Sequence, residues 1–367
     1  MMPKNMYQLF ATDKDIYDLL ESGKQKVTVS FLRKVSAQRG IFFSNHLDRE
    51  EIIDRVSALP HDYKAVSELI SHRESSSKRE KTTSVTLEDE IPMDVIAEVV
   101  NKYATENSQT EDVSSSKKGA SGYEMHVGYS EFDLSRTRLI QKQPKEASLE
   151  FTVKNGKTVI RMPANEKSRA ISARLQGFIK EKIGKEIDAK EIDISGIGSA
   201  KRKTEFFLRL IRELQDYDLE TVTNLKVAFS GSDEGHEDDL DADEQEEVEG
   251  TMMNLVESVA LKGQNLQVSK EFDRLSADGY FITSITWHSK DSKPPYDLVK
   301  FDVSFENPQE GRGFRYNARY SARKQDGSYN VTFKAVENPE REQIFQKIEA
   351  TAQMIIAQLL TDEQHEE

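Results

Sequence analysis

The chain contains no cysteine. Disulfides, thiolate zinc sites and cysteine nucleophiles are therefore excluded, and a reducing compartment is the natural setting. It also lacks any run of about 18 apolar residues, the length a membrane-spanning helix needs. Met1 to Phe10 holds one lysine and no apolar stretch of signal-peptide length. The expectation is a cytoplasmic protein with no membrane partner. Walker A, GxGxxG, GxSxG and HExxH patterns are all missing, and the seven histidines are scattered. No catalytic residue, metal ligand or cofactor is assigned from the sequence.

What the chain has in quantity is charge. Its 65 acidic against 51 basic residues give a formal charge of -14 over 367 residues. That sum argues against a basic surface all round, so any polyanion site must be a local basic face. The length predicts several domains.

Residues 1–72 read as a small helical module. Thr12 precedes a segment with Ile16, Leu19 and Leu20, and Asp48 with Glu51 forms a capping box before Ile52, Ile53 and Val56. Residues 73–122 are rich in Ser, Lys and Thr and read as a flexible linker interrupted by one amphipathic helix at 92–104. An α+β domain is expected over 123–230, with a β-hairpin at 148–162 turning on Asn155-Gly156. Residues 231–250 form an acidic, disordered insertion. Its Asp239, Asp241 and Asp243 alternate as in a calcium loop, but Glu244 stands where the turn needs glycine and Gly250 where a closing glutamate belongs. Such a segment could compete with a polyanion for basic surfaces. A second α+β domain follows over 251–367: helices, a four-stranded meander (280–288, 297–306, 313–323, 328–336) and a C-terminal helix packed on it. The stripe Ile344, Phe345, Ile348, Ala352, Ile355 and Leu359 marks that helix's buried face. The fold class is thus α+β and multidomain, a helical N-terminal module followed by antiparallel sheet and helix domains.

Three groups of cations are candidates for phosphate. In the meander, Arg312 to Lys324 holds five basic residues and no acid. Strand alternation puts Phe314, Tyr316 and Ala318 on one side and Arg315, Arg319 and Arg323 on the other. Lys201, Arg202 and Lys203 sit at the expected N-terminus of a helix, where cations oppose the dipole unless an anion is bound. Phe31-Leu-Arg-Lys-Val-Ser-Ala-Gln-Arg-Gly-Ile, a bend at 42–46 and a second helix opening after Asp48 resemble the SAP or helix-extended-helix class of nucleic-acid-binding motifs over residues 28–60. The resemblance implies backbone contacts from Arg33, Lys34, Arg39 and Arg49. A plain helical docking module is the other reading of the same residues. Together these features lead to the expectation of a non-enzymatic nucleic-acid-binding protein, DNA before RNA, serving as an accessory subunit of a larger system of bacterial type, with protein partners and self-association open. A scaffold without nucleic acid and a divergent metal-dependent nuclease are the alternatives.

Overall fold

The computed structural model describes residues 11–73, 80–119, 121–229, 246, 248–256 and 270–366. Most of the acidic insertion expected at 231–250 lies outside the described residues. The protein is α+β, with N-terminal helices, a large antiparallel sheet and a long C-terminal helix. Among the described residues no helix is long and apolar enough to cross a membrane. Two compact units interleave along the chain. One takes Met1–Glu80, Asn101–Ser115 and Met125–Ala147; the other takes Lys81–Val100, Ser116–Glu124 and Ser148–Glu367.

The first unit opens with α1 (Asp13–Glu21), α2 (Val29–Ala37), α3 (Arg49–Ser57) and α4 (Tyr63–Arg73). Helices this short are marginal alone. Capping boxes at Thr12/Asp15 and Asp48/Glu51 satisfy the orphan N–H groups of α1 and α3. Ile16, Leu19, Leu32, Ile52, Ile53 and Leu69 bury a common core. Past α2, Gly40 takes φ 72°, a left-handed conformation that a side chain would strain.

The second unit is built on β1 (Thr82–Leu87), β5 (Lys157–Pro163), β7 (Tyr217–Phe229), β8 (Tyr280–Asp291), β9 (Leu298–Asn307) and β10 (Arg312–Ser321), with the end of β4 (Lys142–Lys154). Within it the sheet order is β4-β5-β1-β10-β9-β8-β7, every pair antiparallel. β4 turns into β5 through Asn155 and Gly156, both at positive φ, as a two-residue type I′ turn requires. Helices α6 (Glu166–Ile183), α7 (Ala200–Glu213) and α10 (Glu340–Glu366) complete this unit, with shorter helical segments α8 (248–256) and α9 (Lys270–Ala277). α7 and α10 cover one face of β7 to β10. Phe206, Trp287, Phe301, Phe305, Tyr316 and Ile348 are among its fully buried side chains. Trp287 stacks on Phe301, centroids 5.0 Å apart, so the single tryptophan is core.

Three expectations change. Residues 73–122 are not a linker: β1 lies inside the sheet between β5 and β10, and it also pairs with the short β6 (Ala189–Glu191). The helix expected at 92–104 is present as α5 (Met93–Asn107), and β2 (Asp112–Lys118) and β3 (Gly122–Phe132) follow it. The C-terminal helix does pack on a four-stranded meander, but the fourth strand is β7, while 328–336 contributes only the two-residue β11 (Lys334–Ala335). The domains expected at 123–230 and 251–367 share one core running from Ile192 to Leu359.

Candidate nucleic-acid interface

The four central strands turn their second face away from α7 and α10. Register places its side chains in rows across the sheet. One row reads Lys226, Ser284, Ser304, Arg315 from β7 to β10; the next Asn224, Thr286, Asp302, Asn317; and the third His288, Lys300, Arg319 on β8 to β10. Lys81, just before β1, reaches into the middle row and donates from Nζ to Asp302 Oδ1 at 2.7 Å and to Ser304 Oγ at 2.8 Å. Glu306, beside the first row, accepts from Arg169 of α6 at 2.7 Å.

Six cations therefore stand against two carboxylates, and both carboxylates are already paired, Asp302 with Lys81 and Glu306 with Arg169. Among the described residues Lys226, Lys300, Arg315 and Arg319 have no carboxylate partner. Lys300 and Arg319 are directly opposite each other in register, an arrangement of like charge that destabilises a strand pair unless an anion lies between the side chains. Burial, chiefly, lowers the Lys81 pKa, and the nearby Arg315 and Lys226 charges push the same way.

His288 lies in this third row, with Phe333 4.8 Å from its ring. Burial first, then the Lys300 ammonium, holds its pKa below the ordinary value. The folded chain thus takes up this proton later than the unfolded chain as pH falls. The stability this group contributes is present above the unfolded pKa of about 6.5 and is lost as pH falls through the folded value. His288→Gln should flatten the acid side of the stability profile, measured by urea titration of Trp287 fluorescence between about pH 5 and 7.

The other expected cations are placed differently. Arg33 donates to Asn45 Oδ1 at 2.6 Å and Ser44 O at 3.0 Å, which ties down the bend after α2. Arg39 donates to Pro60 O at 3.0 Å. Arg49 bonds Val27 O, Leu20 O and the Glu21 carboxylate. These three guanidiniums tie the helical module together: Arg49 takes carbonyls at the end of α1, and Arg33 and Arg39 take carbonyls of the loops after α2 and α3; Lys34 is exposed. On α7, Arg202 donates to Leu359 O at 3.2 Å and Lys203 is buried with its ammonium 4.8 Å from the Phe281 ring centroid. Burial lowers the Lys203 pKa. Lys201, Arg202 and Lys203 thus do not present one shared surface, since the third faces the core. Arg323 lies past the end of β10, exposed, with its guanidinium 5.9 Å from the Tyr296 ring.

Of the ten candidates, Arg315 and Arg319 are brought together on one face. Lys81, Lys226, His288 and Lys300 join them and carry no local sequence signal beyond strand alternation. Among the described residues no group of three or more His, Asp or Glu is placed to hold a metal ion. No protein-family model matches the chain, and no curated protein matches it.

Proposed function

We propose that the chain is a non-enzymatic nucleic-acid-binding protein that grips the phosphate backbone with the exposed face of the meander. The observation that supports this most is the set of four cations, Lys226, Lys300, Arg315 and Arg319, on one sheet face without carboxylate partners among the described residues. The first and third rows lie four residues apart along each strand, about 13 Å at roughly 3.4 Å per residue. Two separated backbone phosphates fit such a pair of rows, with the neutralised Asp302 row between them. A face of this kind contacts phosphates, not base edges, so its binding is salt-dependent and indifferent to sequence.

The test is fluorescence anisotropy of labelled DNA and RNA titrated in salt. Changing Arg315, Arg319 and Arg323 together to Ser should weaken binding equally for all sequences. It should also make the log-affinity against log-salt slope shallower by roughly 1 for each phosphate that is no longer neutralised. Absent or salt-insensitive binding of both polymers would overturn the proposal. A protein-docking role is the second reading, favoured by a groove of about 700 Å³ between α2 and α4 that Phe31, Val35 and Leu69 help to line. Its signature is a discrete protein complex that forms without nucleic acid.

A further inference from the structure

The first row of the meander face has a shape the other two lack. Its ends are long cations, Lys226 and Arg315, and its middle is two serines, Ser284 and Ser304. Three strand spacings of roughly 4.8 Å put the two ends about 14 Å apart. Small side chains between tall ones leave a trough, a cavity of about 380 Å³ that Lys81, Thr286 and Asp302 also help to line.

The hydrogen bonding of this trough is one-sided. Ser304 is 3% exposed. Its Oγ accepts from Lys81 Nζ at 2.8 Å and from Arg315 Nε at 3.0 Å. A hydroxyl oxygen has two lone pairs, so both are occupied and the remaining capacity is its own O–H hydrogen. Among the described residues nothing accepts that hydrogen, although buried donors are almost always satisfied. Arg315 spends Nε on Ser304 and, among the described residues, its terminal nitrogens on no protein acceptor; Lys226 has no carboxylate partner there. Two carboxylates line the trough, and both are held, Asp302 by Lys81 and Glu306 by Arg169. The cavity thus offers converging donors and surplus positive charge, and what completes it is a compact, multiply charged group made only of acceptors.

We infer that this trough is a site for the dianionic phosphate of a phosphate monoester. The inference rests on the reading of this face as phosphate-binding and narrows it. A phosphodiester within a strand can use this row, but with one charge and two free oxygens it leaves part of the trough's donors unmet. A monoester brings three terminal oxygens, enough to meet Ser304 Oγ–H, the Arg315 fork and Lys226 together. The same group occurs on a nucleic-acid end and on small free molecules.

The experiment uses the full chain, with inorganic phosphate followed by calorimetry and labelled single strands carrying a 5′-phosphate, a 3′-phosphate or hydroxyl ends followed by anisotropy. Phosphate should bind the wild type, and Ser304→Ala should weaken it roughly ten- to hundred-fold, the value of a hydrogen bond to a charged group. Lys226→Gln, an exposed position whose change leaves the fold intact, should weaken it in the same direction. If strand ends are the source, a terminally phosphorylated strand binds tighter than the hydroxyl strand and Ser304→Ala removes the difference. If small monoesters are the source, phosphate binds and the strand ends make no difference; both results support the site. The site is overturned if wild type neither binds phosphate nor prefers a phosphorylated end, or if both variants bind phosphate as wild type does. Salt-dependent binding of the hydroxyl strand alone then leaves the backbone-binding proposal standing without the monoester site.

Discussion

Glu349→Ala should destabilise the second unit by about 3–5 kcal/mol, the cost of leaving a buried ionic partner uncompensated. Arg161 of β5 lies 2% exposed and donates from Nε and one terminal nitrogen to the two Glu349 oxygens, each at 2.7 Å. The hydroxyl of Tyr316, itself fully buried, bonds the same carboxylate. One glutamate of α10 thus fastens β5 and β10, which flank β1. Truncating it strands a guanidinium that cannot shed its proton: burial pulls the Arg161 pKa down and Glu349 more than offsets that in the folded chain, but even without Glu349 an arginine stays charged near neutral pH. Glu349→Gln keeps the acceptor oxygen and should cost less. Replacing all three with apolar residues, Arg161→Met, Glu349→Leu and Tyr316→Phe, should recover most of the loss, because the desolvation cost goes with the charges. Urea unfolding followed by Trp287, the only tryptophan and part of the same core, reads this unit. A loss below about 1 kcal/mol for Glu349→Ala would show that the pair is not a structural tie.

How far the sequence foretold this protein depends on whether a signal is local. The helices of the first unit were legible because a cap and a stripe of apolar residues lie within one segment: Thr12 before Ile16, Leu19 and Leu20 is a complete statement. The hairpin at Asn155-Gly156 is equally self-contained, as is the apolar stripe of α10. The fourth strand of the meander was not. Ser328–Val336 is near in sequence, whereas β7 pairs with β8 across about fifty intervening positions, and alternation does not name a partner. The candidate interface divides in the same way. Parity along β10 separates Arg315 and Arg319 from Phe314 and Tyr316. That Lys226, Ser284, Ser304 and Arg315 form one row is a fact of register across four strands, and Lys81 reaches it from just before β1, far away in sequence. The arginines of the helical module failed for another reason: composition shows a cation but not whether a backbone carbonyl already holds it, as Pro60 O holds Arg39.

Val85→Asp separates a linker from a strand. Were residues 73–122 a solvated tether, an aspartate there would be neutral, for exposed substitutions usually fall within about 0.5 kcal/mol. The segment Thr82-Thr-Ser-Val-Thr-Leu looks polar, yet five of its six residues are buried. Two of its buried hydroxyls are bonded to neighbouring elements: Thr83 Oγ1 donates to Phe314 O at 2.8 Å, and Thr86 Oγ1 accepts from Gln353 of α10 at 3.4 Å. β-branching fits the threonines to a pleated surface, and those bonds remove the penalty of burying them. Val85 sits at 5% exposure, opposite Ile160 on one side and Glu191 on the other. An aspartate there would be an unpaired buried charge facing a like charge across the strand pair. The expected loss is on the order of 3–5 kcal/mol, read again from Trp287. Lys117→Asp, at an exposed position of β2 within the same Ser- and Lys-rich stretch, should change stability by less than about 0.5 kcal/mol. Equal behaviour of the two variants would restore the linker; a large loss confined to Val85→Asp fixes β1 as the strand that joins the β4-β5 hairpin to the meander.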